Sequence, residues 1–307
     1  MVKSEPKIIG ACSHLPFSRG EAACLRQTVR DIDDKKPYDH DQVETLALRQ
    51  ISGNPILRWP IELPPHDPAG VSSAGEFQCW KKACDSKIGI AGVYFSRKSG
   101  GRASCHSFLE EKLLRYFEMC PFVVEIRTQY PSWDWSTYYR YVQSGRRMPT
   151  AKVMTIDFML TLQIPGYPFR LYHGVSGKPL SLLTDDRVIE RHDREAQQIW
   201  KWGCTHEVMT EWTVSGIEHI NNRRLLSFML HTDDLENYVV HAAELARALK
   251  ATTAKGSLDR VLSMVGRRLG WGQRVAYRIF GIAHFLGYLR WNHRFELNRS
   301  NSMMLLK

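Results

Sequence analysis

The 307-residue chain contains no C-x-x-C pair, and its seven cysteines, Cys12, Cys24, Cys79, Cys84, Cys105, Cys120 and Cys204, are scattered and odd in number. That pattern indicates neither a zinc ribbon nor a disulfide framework, and reduced thiols in a cytosolic protein fit it best. His106 beside Cys105 reads more simply as a surface histidine next to a buried thiol than as half of a metal site. No apolar run approaches the ~20 residues needed to cross a bilayer, so no membrane partner is expected. The first residues, with Glu5 and few apolar side chains, lack the core of a signal peptide. There is no internal repeat. The expected location is cytoplasmic.

What is present is positive charge. Lys and Arg number 42 against 32 Asp and Glu, a net charge of +10 with His neutral. Such an excess suits a polyanionic partner, because phosphates attract basic surfaces and release counterions on contact, although it also occurs in proteins that bind no nucleic acid. The apolar and charged fractions, 43% and 24%, are those of a globular protein, and the length suffices for two domains.

Along the chain, residues 1–40 carry mixed charge with little periodicity and read as an N-terminal arm. A Pro/Gly/Ser loop covers 64–75, a strand is predicted over 88–95, and Arg97-Lys98-Ser99-Gly100-Gly101-Arg102 forms a basic turn after it. Residues 107–118 have helical spacing and a capping signature, and 122–126 is a short apolar strand. Strands are predicted over 153–164 and 169–175, separated by a Pro165-Gly166-Tyr167-Pro168 turn. A helix over 185–202 and a strand over 208–214 complete an α/β domain spanning 41–215. Beyond Gly216 the text is helical, with helices over 235–249, 258–269 and 273–289 and a two-stranded wing over 287–297. That pattern makes 216–307 a winged-helix-like domain, used for DNA or for a protein partner.

Four side chains interrupt the apolar pattern. Glu110 shares a helix face with Leu113, Leu114 and Phe117, whereas Glu111 shares the solvated face with Arg115 and Glu118. A carboxylate on the apolar face is costly to bury unless a cation or a donor meets it. A metal ion is one such partner. The capping spacing from Ser107 offers another, and the two are compatible, one oxygen capping while the other faces an ion. Asp157 interrupts Val153-Met154-Thr155-Ile156-Asp157-Phe158-Met159-Leu160, so it needs an arginine, backbone donors or a hard cation such as Mg2+. Lys178 follows His173-Gly174-Val175-Ser176-Gly177, where two small residues let a backbone or a phosphate approach. It is either a solvated turn lysine or a group that orients an attacking water. Glu195 falls on the stripe Val188, His192, Glu195, Ile199, Trp202, pointing inward, with an intrahelical pair to Arg191 as the plain alternative.

The order is the informative part: an inward Glu on a helix, an Asp in a buried strand, a Lys on its hairpin partner, then a helix with an inward Glu. It matches the nuclease pattern written PD-(D/E)xK, whose chemistry is phosphodiester hydrolysis by metal-activated water. Ser107-Phe108-Leu109-Glu110, continuing through Val124-Glu125-Ile126-Arg127 to Gln129-Tyr130-Pro131, resembles the "S-x-L-E … I-R-x-Q-x-P" segment of the TnsA family. Val93 to Gly100 resembles that family's strand and basic turn before the helix. Met154-Thr155-Ile156-Asp157-Phe158 resembles its "T-x-D-F" strand, Val175-Ser176-Gly177-Lys178-Pro179 its "Q-V-K-P" strand end, and Thr210-Glu211 its closing "T-D/E" pair.

The resemblance implies a restriction-endonuclease-like α/β core in which Glu110 and Asp157 ligate Mg2+, with Mn2+ as a substitute. It implies that Lys178 is the catalytic lysine and that Glu195 lies near the site. Ser176 stands where the pattern expects an acid or an amide, and a hydroxyl is the weaker ligand. The resemblance also implies an enzyme that nicks the 5′ ends of a transposon in cut-and-paste transposition. Its partners are transposon-end DNA, a TnsB-like transposase, and a TnsC-like ATPase engaged through the C-terminal domain. Two rivals are a free-standing restriction or repair nuclease of the same fold and a catalytically weak adaptor that binds DNA and an ATPase.

Overall fold

The computed structural model describes residues 46–63, 65–85, 90–167, 170–232 and 234–306, so the arm over 1–40 lies outside the described residues. The chain forms two compact units, one of residues 46–53, 63–111 and 123–212, the other of 54–62, 112–122 and 213–306. The second unit therefore takes in two segments that precede the sheet strands in sequence. A linear reading of composition cannot assign such segments, because they carry no linker signal of their own.

The first unit is mixed α/β. Strands β1 (Gly92–Ser96) and β2 (Gly101–Cys105) form an antiparallel hairpin closed at Ser96 and Gly101. Gly100 has φ +66, and a Cβ there would lie 2.8 Å from the Gly75 Cα, so the turn requires glycine. Helix α1 (Phe108–Met119) follows; its first turn belongs to this unit. Then come β3 (Val123–Ser132), α2 (Trp135–Gln143), β4 (Met154–Leu162), β5 (Leu171–Gly177), α3 (Asp186–Trp200) and β6 (Thr205–Met209). The sheet order is β3-β4-β5-β6, antiparallel through β5 and parallel between β5 and β6, with α3 as the crossover that a parallel pair demands.

One layer of the core gathers Tyr130, Trp133, Ile156, Met159, Tyr172, Ile199 and Trp202. Gly174 lets α3 settle onto the sheet, since a Cβ would meet the Ile199 Cδ1 at 2.6 Å. That closeness belongs to helix packing and not to a bound phosphate. A buried ionic group fixes the loop over 65–77 to β3. The Arg127 Nη1 lies 2.8 Å from Glu125 Oε2, and Asp67 accepts from the Ala69 and Val71 amides and from the Tyr130 hydroxyl. Glu125 also accepts from the Ala74 amide and, at 2.7 Å, from the Thr161 hydroxyl. Every member is buried, so the carboxylates depend on the one guanidinium.

The second unit holds α4 (Gly216–Phe228), α5 (Val239–Ala251), α6 (Leu258–Arg268) and α7 (Gln273–Phe285). Ser215 and Ser257 cap α4 and α6, accepting from the amides of Glu218 and Arg260. Helix α7 is the central one, buried from Ile279 to Phe285, and Gly281 allows α4 to approach, as a Cβ would lie 2.8 Å from the Leu225 carbonyl. Asp259 accepts from Gln273 and Tyr277, tying α6 to α7. Asn221 receives the Leu297 amide and donates to the Phe295 carbonyl, which fixes the C-terminal segment.

Several elements differ from their sequence expectation. The strand expected over 122–126 continues to Ser132, and the one expected over 208–214 lies earlier, at Thr205–Met209. Helices α2 and α4 and strand β2 were not singled out by the sequence. Residues 287–297 form no strand; Trp291 instead bridges Leu305. Glu111 and Glu118, expected on a solvated face, are buried and engaged in polar or electrostatic interactions. An apolar stripe shows which face packs first, but leaves open what covers the opposite face.

Candidate functional site

Glu110 sits in the first turn of α1, held by four contacts. The Ser107 Oγ accepts from the Glu110 amide at 3.2 Å and donates to Glu110 Oε1 at 3.0 Å. The His106 amide and the Gln129 side-chain amide both donate to Oε2, at 2.8 and 3.0 Å. The capping role and an inward carboxylate are thus present together. Burial, and then the negative charge of Asp157, push the Glu110 carboxyl up to about 7, against the opposing pull of the His106 and Ser107 donors and of Lys178.

Asp157 lies within β4 and accepts from the Gly177 amide at 2.9 Å, on the oxygen that faces Lys178 Nζ at 3.8 Å. The Lys178 amide donates to the Met209 carbonyl at 2.9 Å, so the end of β5 is tied to β6 and the lysine is set at the rim of the sheet. Its side chain stays partly exposed. Glu110, Asp157 and Lys178 therefore share one electrostatic neighbourhood, although 68 residues separate the first from the last.

Glu195 belongs to an adjoining network. It is 1% exposed, accepts from Arg191 Nε at 2.8 Å and from the Ser176 hydroxyl at 2.7 Å, and lies 3.8 Å from His206 Nε2. The Arg191 pair weighed from spacing is present. Ser176 is thus committed to Glu195 and, at 3.2 Å, to His206. Burial holds His206 well below the usual imidazole range, at about 4, so it is neutral near pH 7. His192 is also lowered, chiefly by burial, in the field of Glu195, Lys178, Arg191 and Asp157; its Nε2 has no partner among the described residues.

Sequence reading gave no role to Gln129, His192 or His206. A glutamine inside a buried strand is a usable signal, because its amide requires partners. His206 offers no such signal, since its position depends on the β5–β6 register of Gly174 with His206.

The donor set suits a hard divalent cation. Burial and the neighbouring Asp157 raise the cost of ionising Glu110, which leaves a demand for positive charge that Lys178 meets only in part. Among the described residues no group of three or more His, Cys, Asp or Glu gathers to hold an ion unaided. Mg2+ is commonly held by one or two carboxylates with waters and substrate phosphates completing its shell, so Glu110 and Asp157 fit it.

No family model matches the chain. No curated protein matches it either. No helix among the described residues is long and apolar enough to cross a membrane.

Proposed function

We propose that this chain is a magnesium-dependent DNA endonuclease with a PD-(D/E)xK type core. The observation that carries the reading is the meeting of Glu110, Asp157 and Lys178 from one helix, one strand and the end of its hairpin neighbour. The order helix, three antiparallel strands, helix, parallel strand supports the same reading, as does a net charge of +10 beside a polyanionic substrate.

Glu110 and Asp157 would hold Mg2+, or Mn2+ in its place. When bound, the ion supplies a water of lowered pKa and neutralises charge on the phosphoryl oxygens. Lys178 orients the attacking water and offsets charge developing on the phosphate, from a rim position open to substrate. Asp157 keeps its orientation through the Gly177 amide. Glu195, neutralised by Arg191, holds Ser176 and the β5 end in place and acts on the site indirectly.

The motif resemblance extends the proposal to nicking at the 5′ ends of a transposon, with a TnsB-like transposase and a TnsC-like ATPase docked on the C-terminal helical unit. In a reconstituted reaction Asp157→Ala and Lys178→Ala abolish 5′-strand cleavage and leave complex assembly intact; undiminished cutting retires the assignment. One observation favours the catalytically weak adaptor as a second reading, namely that Ser176 is turned to Glu195. Magnesium-dependent breaks that Glu110→Ala removes would exclude it.

A further inference from the structure

Strand β3 carries a feature that strand-forming residues rarely show. Gln129, in its interior and 2% exposed, has φ +52. Glycine or asparagine is the usual occupant of that backbone region, because a Cβ crowds the carbonyl there. The β3–β4 ladder pairs Thr128 with Phe158 and Tyr130 with Ile156, which leaves Gln129 opposite Asp157 at an unpaired position. The Gln129 carbonyl is satisfied outside the sheet, accepting from the Trp80 amide at 3.1 Å. Its side-chain amide reaches Glu110 Oε2 at 3.0 Å. A residue with an unfavourable backbone thus stands across from one carboxylate and grips the other.

From this we infer that Gln129 is a positioning residue for the Glu110 carboxylate, fixing which of its oxygens faces the cation; the inference rests on Glu110 and Asp157 forming the metal-holding pair. The lone pairs decide the orientation. A carboxylate oxygen accepts about two hydrogen bonds. Oε2 receives the His106 amide and the Gln129 amide and is filled, whereas among the described residues Oε1 receives the Ser107 hydroxyl alone. Oε1 keeps one open direction, through which Glu110 would hold a cation. Without the Gln129 donor, Oε2 regains a free lone pair, the carboxylate is no longer held in one rotation, and the ion loses a prearranged ligand.

The test is Mn2+ binding to the full chain, followed by calorimetry and by the Mn2+ paramagnetic resonance spectrum, in wild type, Gln129→Met and Gln129→Gly. Methionine keeps the bulk and removes the amide; glycine removes the amide and relieves the backbone, and keeps the test open should the methionine variant fail to fold. Both variants are expected to lose affinity alike, by roughly 10- to 100-fold, with a broadened Mn2+ signal, although their melting temperatures differ. Affinity within twofold of wild type in either folded variant overturns the inference and leaves the metal-centre reading standing. Affinity that simply follows melting temperature overturns it as well, since that marks a purely structural role. A wild-type chain that binds no Mn2+ overturns the metal centre itself and this inference with it.

Discussion

Replacing Glu110 by glutamine tests the electrostatics of the site without requiring DNA or a partner protein. The amide fits the existing contacts. Its oxygen, in the place of Oε2, accepts from the His106 and Gln129 amides, and its nitrogen, in the place of Oε1, donates to the Ser107 hydroxyl. What changes is charge. The carboxyl rises from 4.5 to about 7, mainly by burial and then by Asp157, and at 1.36 kcal/mol per pH unit the ionised form costs the fold up to about 3 kcal/mol. The native state holds this proton where the unfolded chain has released it. The wild type is therefore least penalised below pH 4.5 and loses stability as pH rises to about 7. In EDTA, Glu110→Gln should match the wild type near pH 4.5 and exceed it at pH 8 by up to about 3 kcal/mol. Urea midpoints at half-unit intervals of pH measure the difference. Millimolar Mg2+ at pH 8 should close the gap by stabilising the wild type alone, since a ligand specific to the native state adds to its stability. A gap that is independent of pH, or unmoved by Mg2+, refutes the reasoning.

Three further outcomes are expected. Arg127→Leu leaves Glu125 and Asp67 buried without their cation and should cost about 3–5 kcal/mol; a thermal melt within 2 °C of wild type would show that the group does not depend on it. Gly287→Ala, at φ +86 with a Cβ 2.5 Å from the Pro55 carbonyl, should cost on the order of 3 kcal/mol by denaturant unfolding, against about 1 kcal/mol for Gly270→Ala, which has φ +78 and nothing within 4 Å. Equal costs would mean that residues 54–62 do not pack in the second unit as described. Ser176→Asp, which installs the acid that the nuclease pattern expects, sets a second carboxylate beside Glu195 Oε2 and should lower the melting temperature more at pH 8 than at pH 5, with recovery in Glu195→Gln; equal loss at both pH values argues against like-charge repulsion.

Much of the site was legible because burying charge leaves a mark on sequence. Glu110 in an apolar helical stripe and Asp157 in a β-branched run each break a period, and the break is visible before any fold is known. Lys178 was legible only through order along the chain, since a lysine in a Gly-Lys-Pro turn carries no anomaly by itself. That residues 54–62 and 112–122 belong to the second unit was not legible, because they join it through contacts distant in sequence. Strand β3 marks the boundary between the two cases. Its apolar start is expected as a short strand, and its continuation passes through the polar Arg127 and Gln129 and through Pro131. Those residues remain in the sheet because Arg127 is neutralised by Glu125 and Gln129 is engaged by Glu110 and Trp80. Periodicity records burial driven by apolar area. Where polar groups satisfy one another inside the protein, the strand persists with its period erased, and in this chain that occurs opposite Asp157, where the proposed chemistry needs charge held out of water.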